Sequence, residues 1–358
     1  MITNSKHILL VNLGSPAGTQ TRQVRSYLRE FLDDPRVIDL PTLLRRFILY
    51  AFILPRRPAK SARAYASIWR QEGSPLVYHT RVLSESLQEF FNKNKLNSSF
   101  LPVHVHWAMR YGSPSLETVL KKINMQPGDQ LTIVPLYPQY ATSTTGTALA
   151  EIYRLLSLPW NTPSLTLKVI PPWYKHPLYI DCLSKSVQKY LPPSLSDLDT
   201  HSRILFSFHG LPHRHLQKSS SPNNSCLAEN YSCCEKPSVD HTYCYRAQCH
   251  QTSVLLAKSL GLKQEQWTLC FQSRLGAGKW TLPSTQDTLI KLAREGIKHI
   301  YIVAPSFICD CLETLEELAQ AGKEIFLENG GQSFCYIPCL NSDHTWVETL
   351  AHLTSDSR

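Results

Sequence analysis

Four common features are missing from this 358-residue sequence. No secretory leader is expected from its first residues. Met1 to Lys6 is polar, and the apolar run Ile8 to Leu13 ends at Gly14-Ser-Pro16 rather than at a small-residue cleavage site. No apolar stretch is long enough to span a bilayer. The longest, Phe47 to Leu54, falls far short of the ~20 residues a spanning helix needs. Clustered lysine and arginine with interleaved aromatics is absent, which argues against nucleic acid as a partner. A phosphate loop is absent too, because Gly276-Ala-Gly-Lys279 lacks the spacing and the following Ser or Thr. These exclusions lead to the expectation of a cytoplasmic protein. In such a setting the 11 cysteines are thiols for packing or metal rather than disulfides.

What is present is a chain with 42% hydrophobic residues, enough to bury a core and to rule out disorder. Its length suits two domains of ordinary size or one large one. The formal charge of +9 favours an anionic partner, such as a carboxylate-bearing ligand or a membrane surface. Residues 47–54 are bracketed by Arg45-Arg46 and Arg56-Arg57. They read as a core helix or as an interfacial lip in peripheral contact with a membrane.

The sequence repeats itself weakly. Ile8-Leu-Leu-Val-Asn-Leu-Gly-Ser-Pro16 lies over Ile204-Leu-Phe-Ser-Phe-His-Gly-Leu-Pro212 without a gap. Val103 to Gly112 echoes Thr268 to Gly276, and Leu131 to Pro135 echoes Ile300 to Pro305. Three strand ends in the same order, twice, imply two similarly folded halves. Helical periods fill the gaps. One stripe is Val24, Tyr27, Leu28, Phe31 and Leu32; a second includes Leu87, Phe90 and Phe91; a third is Leu289, Leu292 and Ala293 before the stop at Gly296. Strands alternating with helices predict an α/β fold of two similar doubly wound (Rossmann-like) domains with parallel sheets. The expected halves are residues 1–172, completed by a helix over 343–358, and residues 173–342, with an active cleft between them.

The candidate chemistry gathers at strand ends, where open α/β sheets put their sites. The strand Ile204 to Phe208 stops at His209-Gly210, and Pro212 forbids its continuation. His209 is therefore delivered to the sheet edge, as a base, a metal ligand or simply a partner for a loop. Glu313 lies in Asp310-Cys-Leu-Glu313, whose spacing also fits a capping box led by Asp310. Beyond it Leu312, Leu315, Leu318 and Ala319 form a buried stripe, which leaves Glu316 and Glu317 on a solvated face. A histidine and a carboxylate converging on one edge suit metal binding or proton transfer. His213 and His215 make a three-histidine zinc site with His209 only on paper, since the Gly-Leu-Pro turn points successive side chains apart. His104 and His106 alternate on a strand as one polar face.

One segment breaks the pattern. Ser219 to His241 has no apolar period, and residues 217–246 read as an insert beginning as a Ser/Pro/Asn-rich loop at Gln217. It carries Cys226, Cys233, Cys234 and Cys244, with Cys249 just beyond. A segment that cannot bury its own core needs another source of order, and a metal centre supplies one. The spacing lacks paired Cys-x-x-Cys units, so zinc, an iron–sulfur centre and a plain loop all stay open.

Phe206-Ser-Phe-His-Gly-Leu-Pro212, Phe271-Gln-Ser-Arg274, Leu136-Tyr-Pro-Gln-Tyr140 and Asp310-Cys-Leu-Glu-Thr-Leu315 resemble the ferrochelatases end to end. These enzymes insert ferrous iron into a porphyrin late in haem synthesis. The resemblance implies that His209 and Glu313 are the catalytic, metal-facing pair, and that Fe2+ is the metal substrate. It also implies that Leu13, Arg56, Arg57, Ser74, Tyr111 and Trp280 contact the porphyrin, the arginines and Ser74 at its propionates. Cys311 stands where the animal enzymes have histidine. Leu13 stands where coproporphyrin enzymes tend to have tyrosine, so the implied substrate is protoporphyrin IX. The alternatives are coproporphyrin III, or a non-catalytic tetrapyrrole or metal carrier on the same fold. Some relatives hold a [2Fe–2S] cluster on cysteines of an internal insert, which implies one on Cys226, Cys233, Cys234 and Cys244, with Cys249 as the substitute ligand.

Overall fold

A computed structural model describes residues 4–94, 101–123, 125–158, 166–193, 198–219, 226–227, 229–235, 238–274 and 278–355. Leu275, Gly276 and Ala277, and residues 220–225, 228, 236 and 237 of the insert, lie outside the described residues. The chain divides into two compact units. The first comprises residues 1–137, 142–171 and 341–358, and the second residues 138–141 and 172–340.

The first unit is built on four parallel strands: β1 (Lys6–Ser15), β2 (Val103–Gly112), β3 (Gln130–Pro135) and β4 (Thr166–Val169), ordered β2-β1-β3-β4. Parallel neighbours need crossovers, and the helices that make them cover both faces. The central strand therefore reads as an unbroken apolar run, and Ile8 to Val11 are fully buried. At roughly 1.5–3 kcal/mol per buried aliphatic side chain, this segment is the main local contribution to the unit's stability. Leu9, Val11, Leu131 and Ile133 pack against Ala148 and Ile152 of the helix Thr147–Leu156. The helix Thr21–Leu32 buries Val24, Tyr27, Leu28 and Leu32, as its period predicts, while Phe31 is only half-buried. The helix His344–Ser355 packs on the helix Pro75–Asn94, and Lys6 Nζ donates to the Thr354 carbonyl at 2.6 Å.

The second unit repeats that topology with β5 (Ser202–His209), β6 (Trp267–Gln272), β7 (His299–Val303) and β8 (Ser333–Tyr336), all parallel and ordered β6-β5-β7-β8. Each echoed segment occupies the same place in its own sheet. The first echo is the central pair β1 and β5; the others are β2 with β6 and β3 with β7. Leu205, Ile300 and Ile302 pack against Leu289 and Leu292 of the helix Thr285–Arg294. Gly296 ends the turn after that helix at φ 93°, a left-handed conformation that favours glycine.

Both central strands end on glycines pressed against a neighbouring strand. A Cβ on Gly14 would lie 1.7 Å from the Tyr111 carbonyl oxygen, and one on Gly210 would lie 2.8 Å from that of Gln272. The Gly210 N–H donates to that same Gln272 oxygen at 2.7 Å. The absence of a side chain thus lets the chain leave the sheet immediately after His209.

The arginine-flanked apolar run is not a core helix. It is a helix Thr42–Ile48, a π-helical turn Leu49–Ile53 and the start of the helix Leu54–Ile68. Leu49 and Leu54 point inward, whereas Leu43, Phe47, Tyr50 and Phe52 are exposed. Buried Arg45 anchors this face, donating to Asp33 Oδ1 at 3.3 Å and to the Leu40 carbonyl at 3.1 Å. No helix among the described residues is long and apolar enough to cross a membrane.

Candidate active site

His209 is the last residue of β5, and its register partner on β6 is Gln272. Its backbone N–H donates to Ser306 Oγ at 3.3 Å, and its ring lies 6.4 Å from that of Phe307. The ring Nδ1 is 2.7 Å from the Gly210 carbonyl oxygen. A carbonyl only accepts, so Nδ1 carries the proton and Nε2 is left with its lone pair. Burial pushes the imidazole below its ordinary value, against the opposing pull of the Glu313 charge and the bond to Gly210. The ring is therefore neutral near pH 7, with one nitrogen able to accept a proton or bind a metal.

Glu313 sits in the first turn of the short helix Leu312–Leu315. The expected cap is corrected: the N-cap is Cys311, and its partner is Thr314 rather than Glu313. The Cys311 N–H donates to Thr314 Oγ1 at 2.9 Å. Asp310 Oδ1 instead accepts from Thr314 Oγ1 at 3.2 Å, from the Tyr336 hydroxyl at 2.5 Å and from the Cys339 N–H at 3.3 Å. The Glu313 carboxylate is thus not engaged in capping. Its backbone is clamped by Gln272, whose Nε2 donates to the Glu313 carbonyl at 2.6 Å while its Oε1 accepts from Ser207 at 2.7 Å. Burial and then the Glu313 charge hold the Cys311 thiol well above its ordinary value, so it is a neutral donor to that carboxylate. Nothing in the spacing of the sequence pointed to this thiol or to the Gln272 clamp.

The helix then opens into a π-helical turn, Glu317–Gly322, which breaks the expected stripe. Leu318 is buried, but Leu312, Leu315 and Ala319 are only partly so. Glu317 is half-buried rather than solvated, and accepts a hydrogen bond from Ser273 Oγ. Ser273 follows β6 with φ at 66°, a left-handed conformation costly for a residue with a side chain.

A cavity of about 400 Å³ opens beside these strand ends, lined by Gly210, Phe271, Gln272, Arg274, Lys279 and Trp280 among others. Trp280 is therefore on a wall that a ligand can reach. Of the residues expected at the porphyrin in the first unit, Arg56 and Arg57 are exposed on the helix Leu54–Ile68. Leu13 is half-buried near the end of β1, and Ser74 is buried just before the helix Pro75–Asn94. Tyr111 is a correction. It is 1% exposed, and its hydroxyl donates to Asp34 Oδ2 at 3.0 Å, so it belongs to the core and presents no surface to a ligand. His213 is held by the Tyr231 hydroxyl at 3.1 Å and does not join His209.

In the insert, Gln217 and Lys218 are helical, so the irregular segment starts later than expected. It contains the short turns Glu229–Cys234 and Val239–Thr242 and runs into the helix Tyr245–Leu260. Its four cysteines are free thiols and meet through hydrogen bonds: Cys244 with Cys226 and Cys234, and Cys234 with Cys233. Cys234 and Cys244 form a small buried cluster with Ala247, against which Tyr231 and Cys233 pack. The bond from Cys244 and the charge of Arg246 hold the Cys234 thiol down at about 5, whereas Cys244 is pushed well above its ordinary value by Cys226 and Cys234. Among the described residues, no group of three or more His, Cys, Asp or Glu side chains is placed to hold a metal ion. Cys249 is fully buried in the following helix, its thiol bonded to Tyr245.

The chain matches the family described as Ferrochelatase over residues 5–358. It is 47% identical over 345 residues to a ferrochelatase of Ectopseudomonas mendocina, covering 96% of this chain and 95% of that protein. It is 44% identical over 348 residues to a ferrochelatase of Stutzerimonas stutzeri, covering 97% of each. Among solved structures it is similar to SirB from Bacillus subtilis with Fe3+, with a TM-score of 0.52 and 13% identity over 99% of this chain and 97% of that one. At that identity the likeness speaks to the fold alone.

Proposed function

The chain belongs to the ferrochelatase family, and from that premise we propose that it inserts ferrous iron into protoporphyrin IX to give protohaem. The observation that carries this reading is the neutral His209, its Nε2 free, in electrostatic reach of Glu313. A free-base porphyrin must lose two N–H protons as the metal enters. His209 Nε2 accepts one, and the Glu313 carboxylate takes the other. Cys311 and Gln272 keep Glu313 in place for that task. Iron here is substrate and must pass on to the porphyrin nitrogens, so two protein ligands suit it better than a closed resident site.

Arg56, Arg57 and Ser74 are proposed to bind the propionates, the arginines through charge-assisted bonds. Leu13 and Trp280 are proposed to contact the macrocycle; Tyr111 is left out because it is buried. Protoporphyrin carries vinyl groups where coproporphyrin carries two further propionates. An aliphatic side chain at position 13 offers no hydrogen bond to a carboxylate and matches the vinyl edge. Anaerobic measurement of kcat/KM on both porphyrins tests this. The expected result is several-fold preference for protoporphyrin, and the reverse preference would transfer the function to coproporphyrin III.

The exposed Leu43, Phe47, Tyr50 and Phe52, flanked by Arg46, are proposed to touch an anionic membrane surface peripherally. Vesicles containing anionic lipid should co-sediment with the protein, and a Phe47→Ser, Phe52→Ser double variant should stay in solution. The four insert cysteines are proposed to hold a [2Fe–2S] cluster. Four contacting thiols match its donor set. Bound there, the cluster would supply order to a segment with no core of its own, and it has no part in the proton transfers above. Anaerobically purified protein should contain about two irons and two sulfides per chain.

A further inference from the structure

Arg246 has no role in the proton transfers proposed above, and it is 7% exposed in the first turn of the helix Tyr245–Leu260. Its Nη1 donates to Cys234 Sγ at 3.2 Å, and its Nη2 donates to the Leu282 carbonyl at 3.3 Å. The guanidinium carbon lies 3.6 Å from the centre of the Tyr231 ring, whose hydroxyl is bonded to His213. Its Nε is buried without a partner. No carboxylate among the described residues forms an ion pair with it in this structure. A desolvated cation without a counter-charge is strongly destabilising. The group it faces is the Cys234 sulfur of the cysteine cluster.

We propose that Arg246 is the residue that sets the reduction potential of an iron–sulfur cluster on Cys226, Cys233, Cys234 and Cys244. The proposal rests on the cluster reading given above. One-electron reduction converts one Fe3+ to Fe2+ and adds one negative charge to the centre. A fixed guanidinium bonded to a ligand sulfur stabilises the more negative state and raises the potential. Its second bond, to Leu282, and the Tyr231 ring under its face hold the charge in place, so little reorganisation accompanies the electron.

The test uses anaerobically purified full-length protein, titrated with dithionite and followed by visible absorption and electron paramagnetic resonance. Arg246→Gln keeps a hydrogen-bond donor of similar shape and removes the charge; Arg246→Lys keeps the charge and loses the planar fork. With iron and sulfide content unchanged, the Gln variant should show a lower midpoint potential and the Lys variant one closer to wild type. An unchanged midpoint in the Gln variant overturns the assignment of Arg246, as does a Lys variant that falls as far as Gln. Wild-type protein without iron and sulfide overturns the cluster reading itself, and the tuning role with it. Should the Gln variant not assemble, the Lys variant and Tyr231→Phe decide: a Lys midpoint near wild type supports the charge-based role, and one that falls well below wild type overturns it. Tyr231→Phe keeps the ring beneath the guanidinium and should leave the midpoint unchanged; a shift as large as that of the Lys variant overturns the charge-based role.

Discussion

At the scale of single residues, the site depends on which groups are kept from doing something else. Glu313 looks like a capping residue by spacing, but Cys311 and Thr314 take that role. Glu313→Gln should therefore lose most metal-insertion activity while urea midpoints stay near wild type. Thr314→Val removes the cap bond and should cost about 1 kcal/mol of stability. A Gln variant that keeps its activity but melts early would restore the capping role. Away from the site, the amino end of β1 carries a buried relay. Asp129 Oδ2 accepts from His7 Nε2 at 3.3 Å, and His7 Nδ1 lies 3.1 Å from His106 Nε2. Burial first, then the nearby His7 and His104, depress His106 to about 4. A depressed histidine contributes stability that is fully present above its unfolded value, ~6.5, and is lost as pH falls toward the folded value. Between pH 7 and 4 the protein should lose on the order of 2 kcal/mol through this ring, after allowance for solvent screening. Denaturation curves of His106→Gln should show a smaller acid-dependent loss; an identical pH profile would remove His106 from the account.

At the scale of elements, the strand end at His209 is built by close approach. Gly210→Ala places a Cβ against the Gln272 oxygen and should destabilise by about 1–3 kcal/mol, shifting His209 and lowering activity. An active, fully stable Ala variant would show that the turn has slack. Most elements could be read from the sequence because each obeys one local rule. The buried central strands are continuous apolar runs, and the helices over residues 21–32 and 285–294 show their periods. What could not be read depended on contacts rather than on pattern. Cysteine has little capping preference, so Asp310 looked the better cap. The π-helical turn at Glu317–Gly322 follows no hydrophobic period. Tyr111 resembled a ligand-facing aromatic, and only its bond to Asp34 revealed it as core.

At the scale of the whole molecule, two sheets of identical strand order follow from the three echoed segments, and the second ends its central strand on His209 where the first has Leu13. One topology thus places a histidine at the strand end in one unit and an apolar side chain in the other. The central claim is that His209 accepts a porphyrin proton while the fold and the binding surface stand without it. The most direct measurement is anaerobic turnover of His209→Ala with ferrous iron and protoporphyrin IX, with porphyrin affinity measured on the same sample by fluorescence quenching. Near-wild-type affinity and no detectable protohaem are expected; turnover near that of the wild type would contradict proton acceptance by His209.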